Sequence, residues 1–282
     1  MLKNINITKQ RKEKMLFLLF IASAFAEITC TMTSGKLIIK GGADDVLKGD
    51  SCKDINVDSA SELLIEEGIK ELADNFMQNS NGLRYIEFGS KSTVAKIGNQ
   101  AFENCGSNAK GQINLVIPST VKTIGDNVFK NGHGLKTITF KDNADLTIGE
   151  QFGQNCNSLN QVLFEGKVKK IGNNVFQNAN TCEKLTMKGD VEEIGAQFFE
   201  NGNALKEVTI EGTIKKIGDN AFKNLPKLEK FTYTGAEVKC TNKLQPNWPQ
   251  GVKTEIKNPI CGYSEAFKTA VLFIVLIIFF FF

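Results

Sequence analysis

Among its 282 residues the chain has one histidine, one tryptophan and five prolines. His133 stands alone in NGHG, which reads as an exposed turn, and no Cys-x-x-Cys, His-x-x-x-His or Gly-x-Ser-x-Gly spacing accompanies it. That removes the ordinary sequence contexts for a catalytic triad or a metal centre. Phosphate loops are missing as well, since no Gly-x-x-x-x-Gly-Lys-Ser/Thr run occurs. From residue 27 onward there is no Asn-x-Ser/Thr sequon, so no protein-bound N-glycan is expected to cover the surface. No catalytic, metal-binding or cofactor-binding residue is assigned on these grounds, and no cofactor is expected.

A basic excess is missing too, although the formal net charge is +3. Residues 1–26 carry five Lys/Arg and one Glu, and without them 29 basic residues face 30 acidic ones. A balanced body of this kind offers no polyanion patch, so nucleic acid is not an expected partner.

Both ends read as addressing signals. Lys3, Lys9, Arg11, Lys12 and Lys14 precede the apolar run MLFLLFIASAFA at residues 15–26, which closes on Ala24, Phe25 and Ala26. This is the pattern of a signal peptide cleaved after Ala26, with either Met1 or Met15 as initiator. At the other end, residues 269–282 carry no charge. As a helix they would span roughly 21 Å, short of a hydrocarbon core near 30 Å. Small residues Gly262 and Ser264, a polar stretch with Glu265 and Lys268, and then the apolar tail fit a glycosylphosphatidylinositol attachment signal over residues 263–282. A single tail-anchored helix is the alternative. Either one leaves the body on the outer face of a membrane.

What is present in abundance is repetition. Seven nine-residue blocks, LADNFMQNS, IGNQAFENC, IGDNVFKNG, IGEQFGQNC, IGNNVFQNA, IGAQFFENG and IGDNAFKNL, begin at Leu72, Ile97, Ile124, Ile148, Ile171, Ile194 and Ile217. Their spacings are 25, 27, 24 and then 23 throughout, which is the mark of a solenoid. Between blocks runs a second pattern, apolar at its first, fourth and sixth places, as in Leu83/Ile86/Phe88, Leu135/Ile138/Phe140, Leu159/Val162/Phe164 and Leu205/Val208/Ile210. Its period-two ending predicts one strand per coil, with one face in a core. The copy at Leu115/Ile117 has Gln112 in the first slot. A further apolar residue three places before most blocks (Ile69, Val94, Val121, Val168, Val191, Ile214) is read as a corner that turns the chain inward. The fold expected is a β-rich repeat solenoid with one parallel sheet of about eight strands, spanning residues 60–239 and stabilised by stacking of coils.

One polar column has no exception. Seven places after each block start stand Asn79, Asn104, Asn131, Asn155, Asn178, Asn201 and Asn224. An inward Asn that satisfies a tight turn and bonds its neighbours accounts for this better than a ligand ladder does. Gly98, Gly125, Gly149, Gly172, Gly195 and Gly218, one place after six of the seven block starts, read as backbone turn positions.

The combined unit, apolar-x-x-Ile/Val-x-Phe/Ile followed by Val-x-x-Ile-Gly-x-x-Ala/Val-Phe-x-Asn-Cys, resembles the BspA-type leucine-rich repeat. The resemblance covers residues 60–239, with departures. The proline that usually follows the strand survives only at Pro118, the family cysteine only at Cys105 and Cys156, and Phe76/Met77, Phe152/Gly153 and Phe198/Phe199 reshuffle the Ala-Phe pair. The resemblance implies a role in adhesion, in binding of host proteins or as a surface antigen.

Seven cysteines leave at least one unpaired. Cys105 and Cys156 share a slot two coils apart, roughly 10 Å at strand spacing, beyond disulfide reach. With Cys182 they read as buried thiols. Cys30, Cys52, Cys240 and Cys261 flank the array, and disulfides Cys30–Cys52 and Cys240–Cys261 are expected to close caps at residues 27–59 and 240–262. Trp248 falls in the second cap.

The outward strand positions form the candidate partner-binding face: Tyr85, Glu87, Asn114, Val116, Thr137, Thr139, Gln161, Leu163, Lys184, Thr186, Glu207 and Thr209. Charges alternate along Lys184, Glu207, Lys230 and along Lys141, Glu165, Lys188, Glu211, so much of the charge is matched within the stack. Tyr85, Val116 and Leu163 give the N-terminal half an interface-like character. The expected function is adhesion or another surface interaction with a protein or glycan on another cell or in the matrix. A structural coat protein with self-packing repeats is the alternative.

Overall fold

The computed structural model describes residues 27–42, 45–48, 50–52, 54–108, 111–238, 248–249 and 251–260. The signal-like and tail segments, with Gly262, Ser264, Cys240 and Cys261, lie outside the described residues.

The described residues wind as a solenoid of about nine turns with almost no helix. Its front carries β1 (Thr29–Thr33), β2 (Lys36–Lys40), β4 (Glu62–Ile65), β6 (Tyr85–Phe88), β8 (Ile113–Ile117), β10 (Leu135–Phe140), β12 (Gln161–Phe164), β14 (Lys184–Met187), β16 (Glu207–Ile210), β18 (Lys230–Tyr233) and β19 (Lys253–Ile256). Its back carries β3 (Asp45–Leu47), β5 (Ile69–Leu72), β7 (Lys96–Ile97), β9 (Thr123–Ile124), β11 (Thr147–Ile148), β13 (Val168–Ile171), β15 (Val191–Ile194) and β17 (Ile214–Ile217). The back is one parallel ladder of eight strands, whereas the front is two sheets, β1-β2-β4-β6 and β8 through β19. Among the described strands only β1 runs antiparallel, folded back on β2. Parallel stacking therefore reaches from β2 to β19.

Front strands behave as their alternation requires. Val162, Leu185, Val208 and Phe231 are register partners in successive coils and all are buried. The back strands were not foreseen as a sheet, because their apolar pairs, such as Val168 and Ile171, are three residues apart, whereas a regular strand alternates every two. The register shows how this is reconciled. Val168 pairs with Val191 and Lys170 with Glu193, Lys169 is passed over, and both end residues face inward. The single expected sheet is thus corrected to two opposed ladders, the front one interrupted.

Each nine-residue block forms the turn that joins back to front. Its fourth and eighth residues, Asn75/Asn79 through Asn220/Asn224, all adopt left-handed conformation with φ between 55° and 66°. Asn tolerates this region better than other residues with a Cβ, which accounts for the column. The fourth position, always Asn or Gln, is a second such column that sequence reading passed over. Across the Asn column each Nδ2 donates to the Oδ1 of the preceding coil, linking Asn79, Asn104, Asn131, Asn155, Asn178, Asn201 and Asn224 at 2.9–3.1 Å. Beneath it the nearly buried Glu200 accepts from the Gln177 and Gln197 amides.

The glycine after six of the seven block starts is not held by a positive φ. A Cβ on Gly172 would lie 2.6 Å from the backbone carbon and oxygen of Gly149, so the slot is imposed by close approach of successive coils. Gly189, Gly212 and Gly235 form a second column under the same constraint, each against the glycine one coil earlier.

Inside, an aromatic spine runs along the stack. Phe76, Phe102, Phe129, Phe152, Phe176, Phe198, Phe222 and Phe231 follow one another at 5.0–6.2 Å between ring centroids. Trp248 ends it, 4.6 Å from Phe231, with its indole N–H on the Phe222 carbonyl. At the other end the Cys30–Cys52 disulfide ties β1 to the segment before the first full coil. Cys105, Cys156 and Cys182 are free and fully buried.

Burial pushes the Cys156 and Cys182 thiols up to about 12, and Cys105 higher still. These folded values exceed the unfolded one, so the thiols stay protonated in the native state while those of the unfolded chain ionise as pH rises. Their contribution is intact below the unfolded pKa and is lost above it, at about 1.4 kcal/mol per pH unit for each thiol. Stability measured by urea unfolding should therefore fall from about pH 9 upward, and native protein at pH 8 should resist maleimide until it unfolds. Labelling of all three thiols without unfolding would contradict their burial.

Substitution separates the two roles of the Asn column. Asn155→Gly keeps the left-handed turn and loses two ladder bonds, which should cost about 1–3 kcal/mol in urea unfolding. Asn155→Ala adds the steric strain of a Cβ and should cost about 1–2 kcal/mol more. Equal effects of the two variants would show that φ is not part of the constraint.

Candidate functional site

The front strands place two outward columns side by side. One reads Tyr85, Asn114, Thr137, Gln161, Lys184, Glu207, Lys230 and the other Glu87, Val116, Thr139, Leu163, Thr186, Thr209, Thr232. They differ in character along the stack. Toward the C-terminal end the charges are matched: Lys184–Glu207 at 2.9 Å and Lys230–Glu255 at 3.2 Å, with Lys141–Glu165 at 2.9 Å along the strand exits. Exposed pairs of this kind contribute little stability each, but they leave no unmatched charge at those sites.

Across β8, β10 and β12 the part of the face formed by these two columns carries no charge, although Lys136 of β10 is exposed beside it. Asn114, Val116, Thr137, Thr139, Gln161 and Leu163 make it up, and the Thr137 hydroxyl donates to the Asn114 Oδ1 at 2.9 Å. Val116 is 46% exposed and Tyr85 40%, whereas Leu163 is half-buried between its neighbours. Tyr85 donates to the Glu87 carboxylate at 3.3 Å. Partial desolvation, and then the nearby Glu87 charge, hold its phenol above the ordinary value.

Between β6 and β8 the front sheet parts. In the other coils the residue after the front strand donates its N–H to the last strand residue of the preceding coil, as Gly89 does to Ile65, Lys141 to Ile117 and Glu165 to Phe140. At β8 that residue is Pro118, which has no N–H. The start of β8 is diverted as well: where Arg84 and Asn160 donate backward, the Ile113 N–H turns forward to the Gly134 carbonyl. This follows from the 27-residue spacing, whose extra chain folds against the next turn through Gly111 and His133. His133, expected to be exposed, is half-buried there as a result. Behind the opening the back ladder continues without a break, Ile97 against Ile124.

The parting leaves a cleft of about 450 Å³ lined by Tyr85, Glu87, Phe88, Val116, Pro118 and Lys141, among others. Phe88 points inward like Ile65, Ile117, Phe140 and Phe164, yet they are buried and it is only partly so. Sequence reading placed Tyr85 and Val116 on the face but not around an opening. Pro118 and Gln112 were the available signals.

Among the described residues no three His, Cys, Asp or Glu side chains converge on a point that would hold a metal. Within them, too, no helix is long and apolar enough to cross a membrane.

No curated protein matches the chain. Among solved structures it is similar to the leucine-rich repeat protein of T. pallidum, at 18% identity over 72% of this chain and 88% of that one, with a TM-score of 0.49. A leucine-rich repeat protein from Bacteroides ovatus shares 19% identity over 69% of this chain and 55% of its own, with a TM-score of 0.45. The pneumococcal vaccine antigen PcpA shares 14% identity over 87% and 94%, with a TM-score of 0.35. The model of the BspA type leucine rich repeat region matches in six copies over residues 55–150 and 107–229, more than half of the chain. Together with the repeat unit and the stacked coils described above, this makes the chain a member of the BspA-type leucine-rich repeat family.

Proposed function

We propose that the chain is a binding protein of the cell surface, meeting a protein on another cell or in the matrix through the N-terminal half of its front face. Membership of this repeat family suggests a surface or protein-interaction role. The observation that carries the finer reading is the division of the face. Ion pairs occupy its C-terminal half, and the other half presents two exposed apolar side chains, Tyr85 and Val116, beside a run of uncharged polar residues, with Glu87 at its edge. A neutral centre with charges at its margin is the composition of a protein interface. Surface address rests on the signal-like residues 1–26 and the tail at residues 263–282. We take the latter to be a glycosylphosphatidylinositol signal.

The secreted body, residues 27–260, should bind partner cells saturably. Tyr85→Ala and Leu163→Asp should each weaken that binding about tenfold or more, as truncating or charging an interface centre does. Lys169→Ala, on the back, should leave it unchanged. Binding that disappears when target cells are treated with glycosidase would make the partner a glycan. Self-association with no cell binding would make the chain a coat protein. Phosphatidylinositol-specific phospholipase should release the mature protein from its own cell, and retention would favour a spanning tail.

A further inference from the structure

Among the described residues the opening between β6 and β8 interrupts the front sheet away from its two ends and leaves an inward-facing ring partly uncovered. Three groups converge on it. Its floor is the ring of Phe88, which faces the core as its counterparts do but lacks their cover. Beside that ring is the Phe88 carbonyl. In the neighbouring coils this carbonyl accepts from the next strand exit, and here it faces a proline that cannot donate. The rim carries Glu87 and Lys141. Lys141 is held by Glu165 at 2.9 Å, whereas Glu87 forms no ion pair among the described residues and accepts only from the Tyr85 hydroxyl. The cleft thus offers an apolar floor, a main-chain carbonyl that the next strand exit cannot meet and one net negative charge beside an aromatic face.

We propose that this cleft is an anchor pocket for an extended segment of a protein partner in which a bulky apolar residue stands next to a lysine or arginine. The inference rests on the binding role proposed for the front face. The apolar side chain lies between Tyr85 and Val116 on the Phe88 ring. A main-chain N–H of the segment donates to the Phe88 carbonyl, supplying the bond that Pro118 cannot. The basic side chain crosses the Tyr85 ring to Glu87, where it gains from both the carboxylate and the π face. A polypeptide supplies all three groups within two or three residues. The charge of the rim selects a basic neighbour over an acidic one.

The test pans a phage-displayed library of random heptapeptides on cells displaying the full chain and titrates enriched peptides, as fluorescein conjugates, against the full chain and its variants. The expected consensus is a large apolar residue adjacent to Lys or Arg. Val116→Asp and Glu87→Lys should each weaken these peptides at least tenfold. Both residues are on the surface, and thermal midpoints close to that of the parent would verify that the fold is kept. Lys169→Ala, on the back, should change peptide binding less than twofold, and high salt should weaken the parent more than Glu87→Gln. No enrichment, a consensus lacking the basic residue, or indifference to Glu87→Lys would overturn the pocket. If partner-cell binding still falls with Leu163→Asp in that case, the binding face stands and the pocket alone is rejected. Loss of both results would remove the proposed function as well.

Discussion

Coil must lie on coil at the spacing of a β-ladder, about 4.8 Å, and the rest of the molecule is arranged to permit it. Two ladders hold the front and back at that distance, but the turns between them have to meet the same spacing. The glycine column does so by removing side chains where backbones pass: at Gly195 a Cβ would stand 2.4 Å from the Gly172 carbonyl oxygen. The Asn column does so by accepting φ near 60° and then using its amide to bond the coil below. Neither column makes sense for a single coil. Each is a constraint that one coil places on the next, which is why the pattern tolerates no exception at Asn while the core varies among Ala, Val, Phe and Gly at the neighbouring slots.

Surface charge follows the same geometry. Stacking at a constant interval puts position on position, so opposite charges one coil apart become ion pairs, as in Lys206–Glu183 at 3.0 Å and Lys215–Glu192 at 2.8 Å. Pairs like these are densest where the spacing is a strict 23 residues. Where the spacing lengthens to 27 the front register fails, and the sheet opens. Regularity and openness are therefore alternatives within one chain, and the irregular coil is where the fold leaves groups available to a partner.

Much of this was legible in the residues. Block starts, inward Phe residues and the Asn column are read from one coil at a time, and the Cys30–Cys52 bridge follows from the need to close an end of the stack. Other features depend on two coils at once and were not legible in the same way. The back sheet escaped because Val168 and Ile171 are spaced for a corner and form a strand only by skipping Lys169 in the register. The glycines were assigned to turns because a close approach across 23 residues leaves no local mark. Pro118 and Gln112 were visible as departures, but their consequence belongs to Phe88, a coil earlier, whose carbonyl and ring lose their cover. The ends of the chain remain sequence readings.

The opening is also mechanically distinct from a flexible loop. Ile97 and Ile124 keep the back ladder continuous behind it, and the spine contact of Phe102 with Phe129, 5.0 Å apart and nearly parallel, spans the same two coils in the core. The two coils are thus held at a fixed spacing behind the opening. A cleft fixed in this way asks little ordering of the protein when a ligand enters, so more of the contact energy appears as affinity. It also explains how a repeat fold can carry a local site without a dedicated domain. One proline, placed at a strand exit and backed by an intact second ladder, interrupts an otherwise continuous front sheet between β6 and β8.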